Sequence, residues 1–381
     1  MSENKISVLV VDDSALMRNI ISKLIEKDSD LQVVGTAMNG RFGLNKIPRL
    51  TPDVIVLDLE MPEMNGIEFL KEMHSLGHNI PVIILSSIAK KGARITMEAL
   101  ALGASDFITK PSGSTPDELE KIGNQLVTVL KAFGSNYRRK QGNSVPPLVD
   151  KQVQSLSMDM ETNRQESSRL PGRISIKQDA WEKITPSKEP EKPEVIVIGI
   201  STGGPNALRK VFSEIDPELS VPIVVVQHMP AGFTKEFAAS LNRICPLEVK
   251  EAAEGDLVKA GRILIAPGDA HVSIEKKSLA SIIHLHDTEL VNGHKPSAGV
   301  LFDSVACAYG NKSIAVIMTG MGKDGAREIG KVFKEGGMTI AQDSSSCIVY
   351  GMPRVAVEHD YIRKIVSLDD MAQTISRLAA G

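Results

Sequence analysis

Short apolar runs of strand length alternate with amphipathic stretches along most of this chain, and this alternation limits the folds open to it. Five such runs precede residue 110 and five more follow residue 194. Strands that are apolar throughout and separated by helical patterns are typical of βαβ units, so each half is predicted to form a parallel sheet. The predicted strands are Ile6–Val11, Val33–Ala37, Val54–Leu57, Val82–Leu85, Phe107–Thr109, Val195–Gly199, Ile223–Gln227, Arg262–Ala266, Ile314–Met318 and Thr339–Ala341.

A tract of different composition separates the two halves. Residues 134–193 are rich in Ser, Gln, Lys, Glu and Pro and contain few apolar side chains. Such a segment does not bury enough apolar surface to offset the entropy of ordering, which predicts a flexible linker. The predicted organisation is therefore one domain over residues 1–133, a linker over 134–193 and a second domain over 194–381.

Composition argues against several classes of protein. The formal net charge of −3 gives no electrostatic basis for binding nucleic acid. The three cysteines lie far apart and form no C-x-x-C motif, which argues against a disulfide scaffold and suits a reducing compartment. Because no apolar run approaches spanning length, we expect a cytoplasmic protein without membrane insertion.

Polar side chains follow the predicted strands of the first domain. Asp12 and Asp13 come after the first strand, Asp58 ends the third, Ser86 follows the fourth and Lys110 follows the fifth. The carboxyl ends of parallel strands share one edge of a sheet, so these side chains are expected to meet there. Three carboxylates at one edge repel one another unless a cation lies between them, and hard oxygen ligands favour Mg²⁺.

This set of residues resembles the receiver domain of response regulators, and Met61-Pro62 and Gly66 fit that family as well. The resemblance implies a flavodoxin-like (βα)5 fold with Asp58 as the phosphoacceptor. It implies Mg²⁺ held by Asp12, Asp13 and Asp58, and a phosphoryl group contacted by Ser86 and Lys110, with Phe107 at the aromatic switch position. Ser87 replaces Ser86 if the strand ends one residue later.

In the second domain, a G-x-S-x-G segment follows the first strand and places Ser201 between Gly199 and Gly203. Alone, this pattern fits a plain strand-to-helix turn as well as a nucleophile. His228 directly follows the next strand, and Asp324 follows Ile314–Met318, so the three side chains can converge as nucleophile, general base and orienting carboxylate. The chain order Ser, His, Asp differs from the Ser, Asp, His order of α/β-hydrolases, which argues against that fold.

The second half resembles the catalytic domain of the chemotaxis protein-glutamate methylesterases, the CheB family. The motifs are Gly199-Ile200-Ser201-Thr202-Gly203-Gly204, Gln227-His228-Met229-Pro230, Ala266-Pro267-Gly268-Asp269-Ala270-His271 and Thr319-Gly320-Met321-Gly322-Lys323-Asp324-Gly325-Ala326. The resemblance implies a doubly wound parallel α/β domain in which Ser201, His228 and Asp324 are catalytic and the N–H groups of Thr202 and Met321 form the oxyanion hole.

The same resemblance implies the reaction and the partners. The reaction is hydrolysis of glutamate methyl esters, and of glutamine amides, on chemoreceptors, with a histidine kinase as phosphodonor and no cofactor for the ester chemistry. Pairing a receiver with a hydrolase further suggests that the unphosphorylated receiver covers the cleft of Ser201.

Two alternatives have other functional roles. An output that binds DNA is disfavoured because the second half shows no basic recognition helix. A catalytically inactive adaptor is disfavoured because all three catalytic positions carry competent residues. The sequence leaves open which signalling pathway the esterase serves.

Overall fold

The computed structural model describes residues 5–87, 89–110, 116–143 and 184–381. In this part of the chain the two predicted parallel sheets are present, each flanked by helices. The fold class predicted from the sequence is confirmed.

The first unit is a parallel five-stranded sheet in the order β2-β1-β3-β4-β5. Strands β1, β3 and β4 are buried at every position, which explains why their sequences are apolar throughout. This strand order is that of the flavodoxin-like folds. The elements are β1 Ile6–Val11, α1 Ala15–Glu26, β2 Leu31–Ala37, α2 Gly40–Leu50, β3 Val54–Asp58, α3 Gly66–Ser75, β4 Val82–Ser86, α4 Lys90–Ala101, β5 Asp106–Thr109 and α5 Pro116–Lys140.

The second unit is a parallel seven-stranded sheet in the order β14-β13-β12-β6-β7-β9-β8, accompanied by an antiparallel hairpin of β10 and β11. Its strands are β6 Val195–Ile200, β7 Ile223–Gln227, β8 Glu248–Glu251, β9 Arg262–Ile265, β10 His271–Lys276, β11 Ser281–His286, β12 Ser313–Ile317, β13 Met338–Gln342 and β14 Lys364–Val366. Its helices are α6 Gly204–Ser213, α7 Phe233–Asn242, α8 Ala298–Tyr309, α9 Glu328–Lys334, α10 Met352–Glu358 and α11 Leu368–Ala380.

The direction of winding reverses at β6. Strand β7, the next along the chain, pairs with one edge of β6, and the later strand β12 pairs with the other edge of β6. A doubly wound sheet opens a crevice at the carboxyl ends of its strands where the order reverses. The ends of β6, β7 and β12 are therefore where a binding site is expected.

The boundary predicted at residue 134 is wrong, because α5 continues through Lys140. Gly134 is a point of close approach rather than a helix break, since a Cβ there would lie 2.4 Å from Cγ2 of Ile6 on β1. Cations in the last turn, including Arg138, suit the negative end of the helix, and Arg138 also donates to the carbonyl of Lys5 at 2.8 Å.

At its other end, the tract predicted as a linker also contains ordered residues. The N–H groups of Ser187 and Glu191 donate to the carbonyls of Lys334 and Asn311 in the second unit. Residues 144–183 lie outside the described part of the chain, so the flexible linker stays a prediction there.

Four strands were not predicted: β8, β10, β11 and β14. The short edge strands β8 and β14 carry charged residues such as Glu248 and Lys364, which hide the apolar pattern and are typical of protected sheet edges.

Candidate functional site

His228 and Asp324 form the centre of a polar cluster in the crevice of the second sheet. His228 directly follows β7, and Asp324 lies in the loop after β12. Nε2 of His228 lies 2.9 Å from Oδ2 of Asp324, and their side chains are 9 % and 0 % exposed. Because a carboxylate only accepts hydrogen bonds, Nε2 of His228 is the donor in this pair.

Asp324 is held as a carboxylate by several donors. Its oxygens accept from Asn292 Nδ2 at 3.1 Å, from Ser297 Oγ at 2.6 Å and from the N–H of Ala298 at 2.7 Å. Ala298 is the first residue of α8, so the positive end of that helix points at the carboxylate. Burial alone would raise the pKa of Asp324, but the hydrogen bond and charge of His228, together with the other donors, lower it to about 2.

Ser201 lies beside this pair at the end of the neighbouring strand. The N–H of His228 donates to the carbonyl of Ile200 at 3.2 Å, and Nε2 of Gln227 donates to the carbonyl of Ser201 at 3.0 Å. The backbones of Ser201 and His228 are thus adjacent, because β6 and β7 pair up to Ile200 and Gln227.

Nδ1 of His228 is buried and has no hydrogen-bond partner, so Ser201 and His228 are not hydrogen-bonded to each other in this structure. Catalytic hydrogen bonds are often long before substrate binds and tighten in the complex. The three predicted residues therefore lie at one edge of the sheet. His228 and Asp324 are hydrogen-bonded to each other, and the backbone of Ser201 lies next to that of His228.

The turn after Ser201 has a conformation that requires glycine. Gly203 has φ = 76°, and a Cβ there would lie 2.8 Å from Cγ1 of Ile348. Thr319 fixes the same turn by donating from Oγ1 to the carbonyl of Thr202 at 3.0 Å. The N–H groups of Thr202 and Met321, predicted to face an oxyanion, donate no hydrogen bond within the described part of the chain.

Sequence reasoning missed the loop that supports the histidine and aspartate. Asn292 contacts Asp324, and the ring of His294 stacks on His228 with centroids 3.9 Å apart and planes 10° from parallel. The Asn-Gly dipeptide at 292 and 293 is a strong signal for a tight turn and could have located this loop. No local pattern, however, links that turn to His228.

His271 supports the same loop from below. It is fully buried, its Nδ1 accepts from the N–H of Ser297 at 3.1 Å, and its Nε2 lies 3.0 Å from the carbonyl of Glu289. Both ring nitrogens are therefore used to hold the segment that carries Ser297 onto Asp324.

A second polar cluster lies at the carboxyl ends of the first sheet. Asp12, Asp13 and Asp58 offer carboxylate oxygens that all lie within 4.8 Å of one another. Nζ of Lys110 lies 2.7 Å from Asp58 and 3.1 Å from Asp12. Burial raises the pKa of Asp58 even though Lys110 opposes the shift. Three convergent carboxylates form the donor set that Mg²⁺ prefers, so the residues fit that ion.

A small cavity of about 20 Å³ lies beside Asp58 and is also lined by Lys110. Ser86 and Ser87 both border it, and β4 ends at Ser86 rather than at the predicted Leu85, so both serines stay candidates for contacting a phosphoryl group. The hydroxyl of Ser86 lies 2.6 Å from Oγ1 of Thr96 and donates to the carbonyl of Ser87 at 3.2 Å.

Phe107 and its neighbours connect the two units. The ring of Phe107 stacks on Phe233, with centroids 4.8 Å apart and planes 12° from parallel. Asp106 accepts a 2.8 Å hydrogen bond from the N–H of Gly203, and Asn206 Nδ2 donates to the carbonyls of Ala104 and Ser105. The first unit therefore contacts the turn that begins two residues after Ser201.

Asp106 is a buried carboxylate within this contact. Burial raises its pKa to about 6, although the N–H groups of Gly203 and Phe107 both donate to it.

A carboxylate cluster of receiver type, joined to a parallel α/β unit with a His–Asp pair beside a serine, defines a response regulator with a hydrolytic output domain. Comparisons with known proteins agree. Residues 8–122 match the response regulator receiver domain, and residues 196–375 match the CheB methylesterase domain.

Two relatives, both named protein-glutamate methylesterase/protein-glutamine glutaminase, match along nearly the whole chain. The one from Treponema denticola is 54 % identical, covering 98 % of each chain, and the one from Treponema pallidum is 50 % identical, covering 98 % of this chain and 97 % of the relative. The crystal structure of the CheB methylesterase catalytic domain of Thermotoga maritima is 39 % identical and covers 49 % of this chain and 98 % of that one, with a TM-score of 0.48. This chain belongs to the protein-glutamate methylesterase/protein-glutamine glutaminase family, as the sequence predicted.

Within the described residues, no helix is both long and apolar enough to cross a membrane.

Proposed function

We propose that this chain hydrolyses methyl esters of glutamate side chains, and amides of glutamine side chains, on chemoreceptors, using Ser201, His228 and Asp324. The observation that carries the proposal is the buried His228–Asp324 pair, in which Nδ1 has no hydrogen-bond partner and His228 follows the strand that pairs with the one ending just before Ser201. The names of the full-length relatives support this choice of substrate group. The cytoplasmic part of a receptor is the proposed place of action.

The reaction proceeds through an acyl-enzyme. Nδ1 of His228 takes the proton of the Ser201 hydroxyl as Oγ attacks the ester carbonyl, and Asp324 stabilises the imidazolium that forms. The negative oxygen is bound by the N–H groups of Thr202 and Met321, each worth about 3 kcal/mol in comparable sites. Collapse expels methanol, or ammonia from an amide, which receives the proton from His228. Water then repeats the sequence, releasing a glutamate carboxylate and restoring Ser201.

The Ser201→Ala variant tests this assignment. Methanol release from a methylated chemoreceptor fragment and ammonia release from its glutamine form should both fall at least about a thousandfold. Ser213→Ala, on the exposed side of α6, is the matched control and should leave both rates unchanged. Activity retained by Ser201→Ala would remove the basis for a serine nucleophile.

For the first unit, Asp58 is proposed to accept a phosphoryl group from the histidine kinase of the pathway. Asp12 and Asp13, together with Asp58, would hold Mg²⁺, which supplies positive charge to the phosphoryl oxygens. The ammonium of Lys110, already against Asp58, would pair with a phosphoryl oxygen, and Ser86 would donate to another.

The contact between the two units supports control of the hydrolase by this phosphorylation. Asp106 and the carbonyls of Ala104 and Ser105 engage the turn and helix that follow Ser201, and Phe107 stacks on Phe233 at the start of α7, so a receptor helix cannot occupy the same space. Phosphorylation can relieve this block only if it favours the state in which these contacts are broken. Phe107, at the switch position, is the side chain that links the two events.

A further inference from the structure

His294 is held next to the catalytic pair by a short, well-defined turn. Val291 and His294 exchange two backbone hydrogen bonds of 3.1 and 3.0 Å. Between them, Asn292 and Gly293 have φ of 53° and 81°, the pattern of a type I′ turn, which Asn-Gly favours. One turn thus places Asn292 on Asp324 and His294 on His228.

The stacking contact with His294 restrains the plane of the His228 ring, which the hydrogen bond to Asp324 alone does not fix. A single bond from Nε2 to Asp324 fixes one atom of the His228 ring but not its plane, because the outer torsion of histidine has a broad energy minimum. A second ring lying 3.9 Å away and within 10° of parallel prevents the His228 ring from tilting. The direction of Nδ1, which has no hydrogen-bond partner, is then set by His294 and Asp324 together.

The charge state of His294 suits this position. Burial, and then the neighbouring charge of His228, lower the pKa of His294 to about 4, although Asp324 opposes the shift. Near neutral pH, His294 therefore presents an uncharged aromatic face. Such a face attracts a cation, so the ring can remain stacked when His228 takes a proton from Ser201.

We propose that His294 is a positioning residue of the hydrolase, and that its stacked ring holds the plane of His228 so that Nδ1 faces Ser201 while Nε2 stays on Asp324. The inference rests on the proposed catalytic function of Ser201, His228 and Asp324. His294 itself exchanges no proton with the substrate.

The test compares two side chains of similar bulk at this position in the full chain, activated with acetyl phosphate and Mg²⁺. His294→Phe keeps a flat aromatic face, whereas His294→Leu fills the space without one. We expect His294→Leu to lower kcat for methanol release about tenfold with KM within about twofold, and His294→Phe to recover most of the loss. His286→Phe, an exposed histidine that bonds Ser273, is the matched control and should behave as the unmodified chain.

The outcomes separate the positioning role from the assigned function. Equal rates for the Phe and Leu variants, whether both low or both normal, would overturn the role of the ring plane, and so would a loss confined to KM. Thermal unfolding of both variants shows whether a low rate reflects a damaged fold, in which case Phe and Leu would lose stability alike. If Ser201→Ala retains activity in the same assay, the proposed function fails instead.

Discussion

Asn206 offers the cleanest way to loosen the contact between the two units. Its Nδ2 donates to the carbonyl of Ala104 at 2.9 Å and to that of Ser105 at 3.1 Å, and it makes no described contact with the catalytic pair. The Asn206→Ala substitution removes both bonds while leaving Phe107 on Phe233 in place. Each bond contributes about 1 kcal/mol net, so the closed state should lose about 2 kcal/mol.

A change of about 2 kcal/mol alters the ratio of closed to open molecules roughly thirtyfold. If the contact blocks the site, methanol release by the unphosphorylated Asn206→Ala chain should rise by up to this factor, limited by the rate of the phosphorylated chain. The phosphorylated rate should stay within about twofold of the unmodified protein, because the open site is unchanged.

The assay measures initial rates on a methylated receptor fragment with and without acetyl phosphate. Ser213→Ala, on the same helix but facing solvent, controls for effects on α6 itself. An unphosphorylated rate that does not rise, or a phosphorylated rate that rises equally, would show that this contact does not restrain the hydrolase.

Three further predictions concern single carboxylates. Asp58→Asn should incorporate no phosphoryl group from a labelled donor, and its hydrolytic rate should not respond to that donor, because the carboxylate nucleophile is gone. For Asp324, the pKa lowered to about 2 means that ionisation stabilises the fold above its ordinary pKa of 3.8, and that this stability is lost as pH falls through about 2. The contribution is about 2 kcal/mol, so urea midpoints at about pH 5 and pH 2.5 should differ less in Asp324→Asn than in the unmodified chain, while its kcat falls by about 10³ to 10⁴. For Asp106, burial raises the pKa to about 6, so the folded chain favours the neutral acid; this stability is present below the ordinary pKa of 3.8 and is lost as pH rises through about 6. Urea midpoints measured at about pH 4 and about pH 7 should therefore differ more in the unmodified chain than in Asp106→Asn.

Most strands of both sheets could be predicted because each is short, apolar and bounded by polar segments. Ile6–Val11 and Ile223–Gln227 match the structure at both ends. The boundary at Gly134 failed for a tertiary reason, since that glycine permits α5 to pack against Ile6, and a sequence pattern cannot tell this from a helix end.

The catalytic and phosphoacceptor residues could be predicted from the sequence for a related reason. Ser201, His228 and Asp58 stand at or just after the carboxyl ends of recognisable strands, and parallel pairing brings such ends to one edge without further information. The sequence by itself thus determined two parallel α/β units and the edge on which each site forms.

Only the tertiary structure decided which groups orient those side chains and what covers them. Asn292 and His294 reach the catalytic pair from a loop beyond a hairpin, and Asp106 reaches Gly203 from the other unit. These contacts join residues separated by 32, 66 and 97 positions, and no local periodicity encodes them. Their partners are chosen by the packing of whole elements, because a buried donor or charge is stable only where folding places its complement.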